Sequence, residues 1–266
     1  MKMAVLASGS KGNATLVSCG ATNILVDAGI PAKGIETALA GFGLALNDIS
    51  AVIVTHSHTD HFRGLEALSR KIRAPLFASE ETASSIDICL EKTKKRRNSP
   101  LEWNYISSGS AFTFNNLLIT PFEVPHDANG ATAYTIEDGQ CKIGIATDLG
   151  CATNSVKYHL DGCDALVLEM NHDIGMLRKS NRPEILKIRI AGKLGHLSND
   201  QAVEFLEALD TSRLKYLFPA HISEECNDFS CIAAALLNMR GGRGFEIIRT
   251  SQNTPTAMVE VSVNNL

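Results

Sequence analysis

In the segment His56-Ser57-His58-Thr59-Asp60-His61, four of six consecutive residues carry a side chain able to bind a divalent cation. The segment directly follows the apolar run Ala51-Val52-Ile53-Val54-Thr55, which reads as a buried strand. Side chains alternate along a strand, so His56 and His58 are expected on one side of its end, while the next turn swings Asp60 and His61 toward a neighbouring point. One segment can therefore feed two metal ions. Imidazole suits zinc, iron, nickel and copper, and carboxylate adds tolerance for manganese, so the expected cofactors are two divalent ions drawn from zinc, manganese or iron. A solvated His-rich loop is the plain alternative, and this density of ligands beside a buried strand argues against it.

Two metals need more ligands than one motif supplies. His126 follows the run ending at Val124, Asp148 follows Lys142-Ile143-Gly144-Ile145-Ala146, and His221 lies just beyond Lys215-Tyr216-Leu217-Phe218. Singly, either histidine has an ordinary surface or core reading, and Asp148 reads as a helix cap. Glu169 at the end of Ala165-Leu166-Val167-Leu168 reads alone as a helix-starting carboxylate, and His196 as a loop histidine. The turn Gly9-Ser10-Lys11-Gly12-Asn13 offers backbone N–H groups and the polar side chains of Ser10 and Asn13 to a phosphate, or is merely a tight hairpin. It lacks the spacing of a P-loop.

The elements that must position these residues are short. Strands are expected over Met3–Ala7, Thr15–Ser18, Asn23–Asp27, Ala51–Thr55, Leu117–Val124, Ala131–Ile136, Lys142–Thr147 and Ala165–Glu169, with closing strands over Phe245–Arg249 and Thr256–Val261. Gly- and Asn-rich turns make the first of them antiparallel hairpins. Helices are expected over Gly64–Arg73, Ser198–Leu209 and Asn227–Met239. No internal repeat is visible in the sequence. The alternation suits two sheets packed face to face with helices outside and the functional loops at one edge.

With 266 residues, 44% of them hydrophobic, the chain is expected to form one domain over 1–266. No apolar stretch approaches the ~20 residues of a membrane span, and the N-terminus has no signal-peptide pattern, so no membrane partner and a cytoplasmic location are expected. Seven cysteines, an odd number without a C-x-x-C pair, fit that compartment and read mostly as small core residues. A net charge of −4 gives no global attraction to nucleic acid, so any polyanion must find a local basic patch. Lys92, Lys94, Lys95, Arg96 and Arg97 form one candidate. Arg178, Lys179, Arg182, Lys187, Arg189 and Lys193, between Glu169 and His196, form a better one, interrupted by Ile185, Leu186, Ile188 and Ile190, which read as an inward-packing face.

Taken in order, the H-x-H-x-D-H segment, the preceding Leu25-Val26-Asp27-Ala28-Gly29, and then His126, Asp148 and His221 resemble the motif series of the metallo-β-lactamase superfamily. The resemblance implies an α/β fold, an αββα four-layer sandwich of two mixed β-sheets flanked by helices. It implies His56, His58 and His126 on one metal and Asp60, His61 and His221 on the other. Asp148 and a hydroxide would bridge them, with Asp27 as a buried supporting carboxylate. Ala7-Ser8-Gly9-Ser10-Lys11-Gly12-Asn13, Leu168-Glu169-Met170-Asn171-His172-Asp173, Gly195-His196-Leu197-Ser198-Asn199 and His221-Ile222-Ser223 are similar to the YycJ (WalJ) group of that superfamily. That group is associated with metal-dependent nucleases, including 5′-to-3′ exonucleases. Glu169 and His196 resemble the pair that phosphodiesterases such as tRNase Z place beside their metals.

The expected function is therefore phosphodiester hydrolysis by two metals, with Asp60, His196 and Glu169 as the catalytic set and nucleic acid, DNA ahead of RNA, as the partner. Two rivals share the metal core: a hydrolase of a cyclic phosphodiester, thioester or lactone, and a metal-bound nucleic-acid-binding module without turnover. A β-CASP-type RNase is disfavoured because the chain has no room for that family's extra domain. A flavodiiron reductase is disfavoured because His58 stands where that group has a carboxylate. The oligomeric state is left open.

Overall fold

The computed structural model describes residues 1–93, 100–239 and 244–262. Lys94, Lys95, Arg96 and Arg97 of the first basic run lie outside the described residues. The strands are β1 (Lys2–Ala7), β2 (Ala14–Cys19), β3 (Thr22–Val26), β4 (Ala51–Ile53), β5 (Leu76–Ala78), β6 (Trp103–Tyr105), β7 (Phe112–Phe114), β8 (Leu117–Glu123), β9 (Thr132–Glu137), β10 (Lys142–Ala146), β11 (Ala165–Glu169), β12 (Tyr216–Ala220), β13 (Glu246–Ile247) and β14 (Val259–Glu260). They form two seven-stranded sheets, in the orders β14-β1-β2-β3-β4-β5-β6 and β13-β12-β11-β10-β9-β8-β7.

Both sheets are mixed, and in the same way. The first runs antiparallel from β14 to β3 and parallel from β3 to β6. The second runs antiparallel from β7 to β10 and parallel from β10 to β13. The expected hairpins at the N-terminus are present as β1–β2 and β2–β3, with Thr15 opposite Val26. Residue type alone did not foretell this shared strand plan.

The inner strands β4 and β11 are buried along their whole length because each sheet is covered on both faces, whereas the edge strands β6, β7, β13 and β14 are partly exposed. Ile24, Val26 and Ile53 of the first sheet meet Tyr134, Ile145, Val167 and Phe218 of the second in a central layer. On the outer face of the first sheet, Leu25 and Val52 pack with Ile35, Leu39, Leu65 and Ile86 from helices. On the outer face of the second, Leu166, Leu168 and Leu217 pack with Leu160, Phe205 and Ile232. The result is the expected αββα sandwich, in which each fully buried aliphatic side chain contributes roughly 1.5–3 kcal/mol. The helix expected over Gly64–Arg73 is shorter, Leu65–Ser69. Helices Ala32–Ala40, Glu80–Thr93 and Asn154–Leu160 had no sequence expectation. Among the described residues no helix is long and apolar enough to cross a membrane.

Candidate metal centre

Strand β4 ends at Ile53, so His56 and His58 stand in the loop beyond it instead of alternating along a strand as expected. They converge because that loop is pinned. The Asn13 and Ala28 amides donate to the Asp60 and His61 carbonyls, each at 2.8 Å, and the Gly64 amide donates to the Ala28 carbonyl at 2.8 Å. A Cβ on Gly29 would lie 1.6 Å from the Asp60 carbonyl oxygen, so only glycine permits this approach. From the other sheet, the buried Tyr134 hydroxyl donates to the Val54 carbonyl at 2.7 Å, joining the two layers just before His56.

Asp27, Asp148 and His221 each follow a strand closely, and each has a left-handed backbone, with φ of 63°, 56° and 52°. Left-handed backbone is uncommon for residues with a Cβ and clusters at functional sites. It turns each side chain sharply off its strand toward the gap between the sheets.

There the side chains form two overlapping groups. His56, His58, His126 and Asp148 bring one ligand atom each within 4.8 Å of one another, and so do Asp60, His61 and His221. Nδ1 of His58 and Nε2 of His126 face each other at 3.2 Å, and His126 Nε2 is 3.6 Å from Asp148 Oδ1. His61 Nε2 meets the other oxygen of Asp148 at 3.0 Å, while His221 Nε2 meets Asp60 Oδ2 at 3.2 Å. Asp148 thus touches both groups. His56 Nε2 is fully buried and has no hydrogen-bond partner. A buried nitrogen without a partner, turned toward three other nitrogen and oxygen donors, fits a cation better than a network of protons.

The supports are as ordered as the groups themselves. The Asp27 carboxylate accepts from the Thr55 amide at 2.8 Å and holds His61 Nδ1 at 2.7 Å, which fixes the ring with Nε2 toward the centre. Glu169 is completely buried. One oxygen meets Nδ1 of both His196 and His221 at 2.8 Å, and the other accepts the Leu149 and Leu197 amides. From sequence Glu169 was paired with His196 alone, and its grip on His221 follows only from the parallel β11–β12 pairing.

These contacts set the charges. Burial favours the neutral Glu169, but His196 and the hydrogen bonds from both histidines hold its pKa down to about 2. Burial likewise opposes the charged forms of His196 and His221. Glu169 and Asp148 overcome it, raising His196 above its ordinary value and His221 to about 10. For His56 burial wins, helped by repulsion from His61, and its pKa falls well below the usual range.

A recess of about 210 Å³ opens onto this centre, lined among others by Ser10, Asp60, Asp148, His196 and His221. Ser10 therefore lines the opening of the recess. Asn13, expected beside it as a phosphate donor, does not line the recess. It is buried, and its amide bonds to the Gly9 carbonyl and faces Asp60 Oδ2 and His61 Nε2 at 3.3 and 3.0 Å, so it supports those two residues. Asp127 carried no sequence expectation. Its Oδ1 is 3.5 Å from Nε2 of both His58 and His126, and its other oxygen pairs with Arg189.

Residues 22–222 match the family model described as the Beta-lactamase superfamily domain. The chain belongs to that family. It is 33% identical over 264 residues to the Exodeoxyribonuclease YycJ of Bacillus anthracis, covering 96% of this chain and 97% of that one. It is 30% identical over 267 residues to the Exodeoxyribonuclease WalJ of Streptococcus pneumoniae strain D39, covering 98% of each. Among solved structures, the metallo-β-lactamase fold protein YhfI of Bacillus subtilis superposes with a TM-score of 0.70 at 16% identity, covering 96% of this chain and 97% of that one. The chain is thus a YycJ-like member of the superfamily, with the metallo-β-lactamase fold.

Proposed function

We propose that this protein is a metal-dependent nuclease that hydrolyses phosphodiester bonds of DNA, removing nucleotides in the 5′-to-3′ direction, with two divalent cations at its centre. The observation that carries the reading is His196, held by Glu169 at 2.8 Å on the rim of a centre that has a full complement of ligand side chains. Full-length relatives named as exodeoxyribonucleases support the choice of DNA. His56, His58 and His126 would hold one cation and Asp60, His61 and His221 the other, with Asp148 between them.

Bound there, divalent cations withdraw charge from a phosphate and lower the pKa of water. The chain does the rest. With Nδ1 given to Glu169, His196 has Nε2 left for substrate, and its raised pKa keeps it a proton donor near neutrality. It can protonate the departing oxygen as charge develops there. Asp60 offers a carboxylate oxygen to orient the attacking water. His221, with a pKa near 10, must lose a proton before it can act as a ligand, so metal uptake releases protons and strengthens with rising pH.

The test is a metal-reconstituted assay on end-labelled single- and double-stranded DNA, RNA and a chromogenic phosphodiester, run on wild type, His196→Ala and His58→Ala. The expected product is a ladder from the 5′ end of DNA. His196→Ala should keep its metal and lose roughly 10²- to 10⁴-fold in single-turnover rate, whereas His58→Ala should lose metal as well. Turnover of the chromogenic ester alone would favour a small-molecule hydrolase, and metal binding without any cleavage would favour a binding module.

A further inference from the structure

The helix Glu184–Ile190 forms a wall of the recess through Leu186, Arg189 and Ile190. Its apolar residues do not all turn inward, as the sequence suggested. Leu186 and Ile190 pack with Leu177 and Cys226, but Ile185 is 81% exposed and Ile188 71%. With about 3.6 residues per turn, these two share one stripe, and Ile185 stands next to Arg189 on the solvent side of the wall. Two isoleucines kept in water beside a reaction centre call for a partner.

The charge around them says which kind. Residues 178–194 carry six basic side chains and one acidic, Glu184, in a chain whose net charge is −4. Arg178, Lys179 and Lys193 are exposed and make no ion pair among the described residues. Arg182 and Arg189 line the recess, and each gives only part of its guanidinium to a carboxylate, Glu225 or Asp127. A surface with apolar side chains set among cations suits a polyanion that also presents flat apolar faces. The recess itself is small, about 210 Å³, which favours a single strand over a base-paired duplex.

We propose that Ile185 and Ile188 form an apolar wedge that parts the end of a DNA duplex and packs against its unpaired bases, while Arg182 and Arg189 lead the phosphates of the same strand into the recess. The inference rests on the nuclease reading above. The wall is rigid enough for the purpose, because its last turn is tied to the reaction centre. The His196 amide donates to the Ile190 carbonyl at 2.8 Å, and a Cβ on Gly195 would lie 2.2 Å from the carbonyl oxygens of Arg189 and Ile190. Apolar side chains of this size unstack base steps at a cost of a few kcal/mol, which contacts with the opened strand must offset.

The experiment compares wild type with the Ile185→Ser/Ile188→Ser double variant on 5′-labelled single-stranded DNA and on the same strand in a blunt duplex, with circular dichroism and sedimentation velocity on both proteins. Both side chains are exposed, so the variant should fold and sediment as wild type does. Its rate on single strands should stay within about threefold, and its rate on the duplex should fall at least tenfold. A duplex carrying a few unpaired nucleotides at that end should restore most of the loss. Equal losses on single strands and duplex, or no loss on either, would overturn the wedge while leaving nuclease activity intact. A shift from dimer to monomer in the variant would instead assign the stripe to contact between copies of the chain. Wild type that cuts neither form of DNA would defeat the nuclease reading itself, a result distinct from all of these.

Discussion

In each sheet three antiparallel pairings give way to three parallel ones, and the strand at the changeover, β3 or β10, runs into a left-handed aspartate followed two residues later by glycine. Asp27-Ala28-Gly29 and Asp148-Leu149-Gly150 are the two versions. A Cβ on either glycine would collide with a backbone carbonyl, of Asp60 at 1.6 Å or Lys193 at 2.3 Å, so one loop is packed against the segment that carries His61 and the other against the segment that carries His196. The chemistry differs. Asp27 is enclosed by Thr55 and His61 and orients the His61 ring, whereas Asp148 stands within the cluster of side chains that could hold a metal. The next strands repeat the contrast. Three residues beyond β4 comes His56, a member of the cluster, and three beyond β11 comes His172, which belongs to none of the clusters. One strand plan serves twice, and what each half does is decided by whether its side chains end under the loops or in the gap between the sheets.

The sharpest way to break this comparison is to exchange the roles of the two aspartates. Asp148→Asn should abolish turnover and metal uptake while leaving a folded protein, measured by elemental analysis and thermal melting. Asp27→Ala should act mainly on stability, because it strands the buried His61 and the Thr55 amide, with a cost of about 3 kcal/mol in the metal-free protein. An Asp27 variant that loses metal with an unchanged melting curve would put the two halves on an equal chemical footing.

A smaller effect is expected at Glu169, which joins His196 to His221. Glu169→Gln should lower both the single-turnover rate and metal affinity by roughly 10- to 100-fold, the range for residues that orient ligands. If only the rate falls, the contact with His221 is incidental. The smallest effect concerns His172. Burial, with a lesser push from His196, outweighs the attraction of Glu169 and lowers its pKa to about 4. The unfolded chain, with an ordinary histidine pKa near 6.5, binds the proton more readily, so His172 favours folding fully above about pH 6.5 and loses that contribution as pH falls toward 4. In chelator, His172→Asn should therefore show a shallower fall in Tm between pH 6.5 and 4.5, by a few degrees for each kcal/mol released. Identical slopes would mean that His172 is protonated in the folded state as well.

Much of the clustering was legible because side chains able to bind a metal are few in kind and gather just past strand ends. The H-x-H-x-D-H segment, Asp148 and His221 were visible as polar residues just past apolar runs, and β11 was expected over the residues it occupies, Ala165–Glu169. What the sequence hid depends on packing at a distance. Asn13 looked like a phosphate donor because its turn is polar, yet hydrogen bonds to residues 47 and 48 positions away draw it beneath Asp60 and His61. Ile185 and Ile188 looked like core because periodicity registers a residue's polarity and not which side of a helix the remainder of the chain covers. The repeated sheet plan was invisible for the same reason: strand pairing leaves no fixed mark on residue type, and the two halves share little beyond an aspartate and a glycine.

The left-handed backbones of Asp148 and His221 set a limit on how this protein can change. Each such residue with a Cβ costs roughly 1–2 kcal/mol relative to an ordinary conformation, a cost that glycine would remove. At these positions selection for robustness and selection for reactivity pull in opposite directions. A lineage freed from the need to turn over substrate would be expected to drift there toward glycine or asparagine and melt at a higher temperature as it did so, so that thermal hardening at positions 148 and 221 would be the early mark of a retired enzyme.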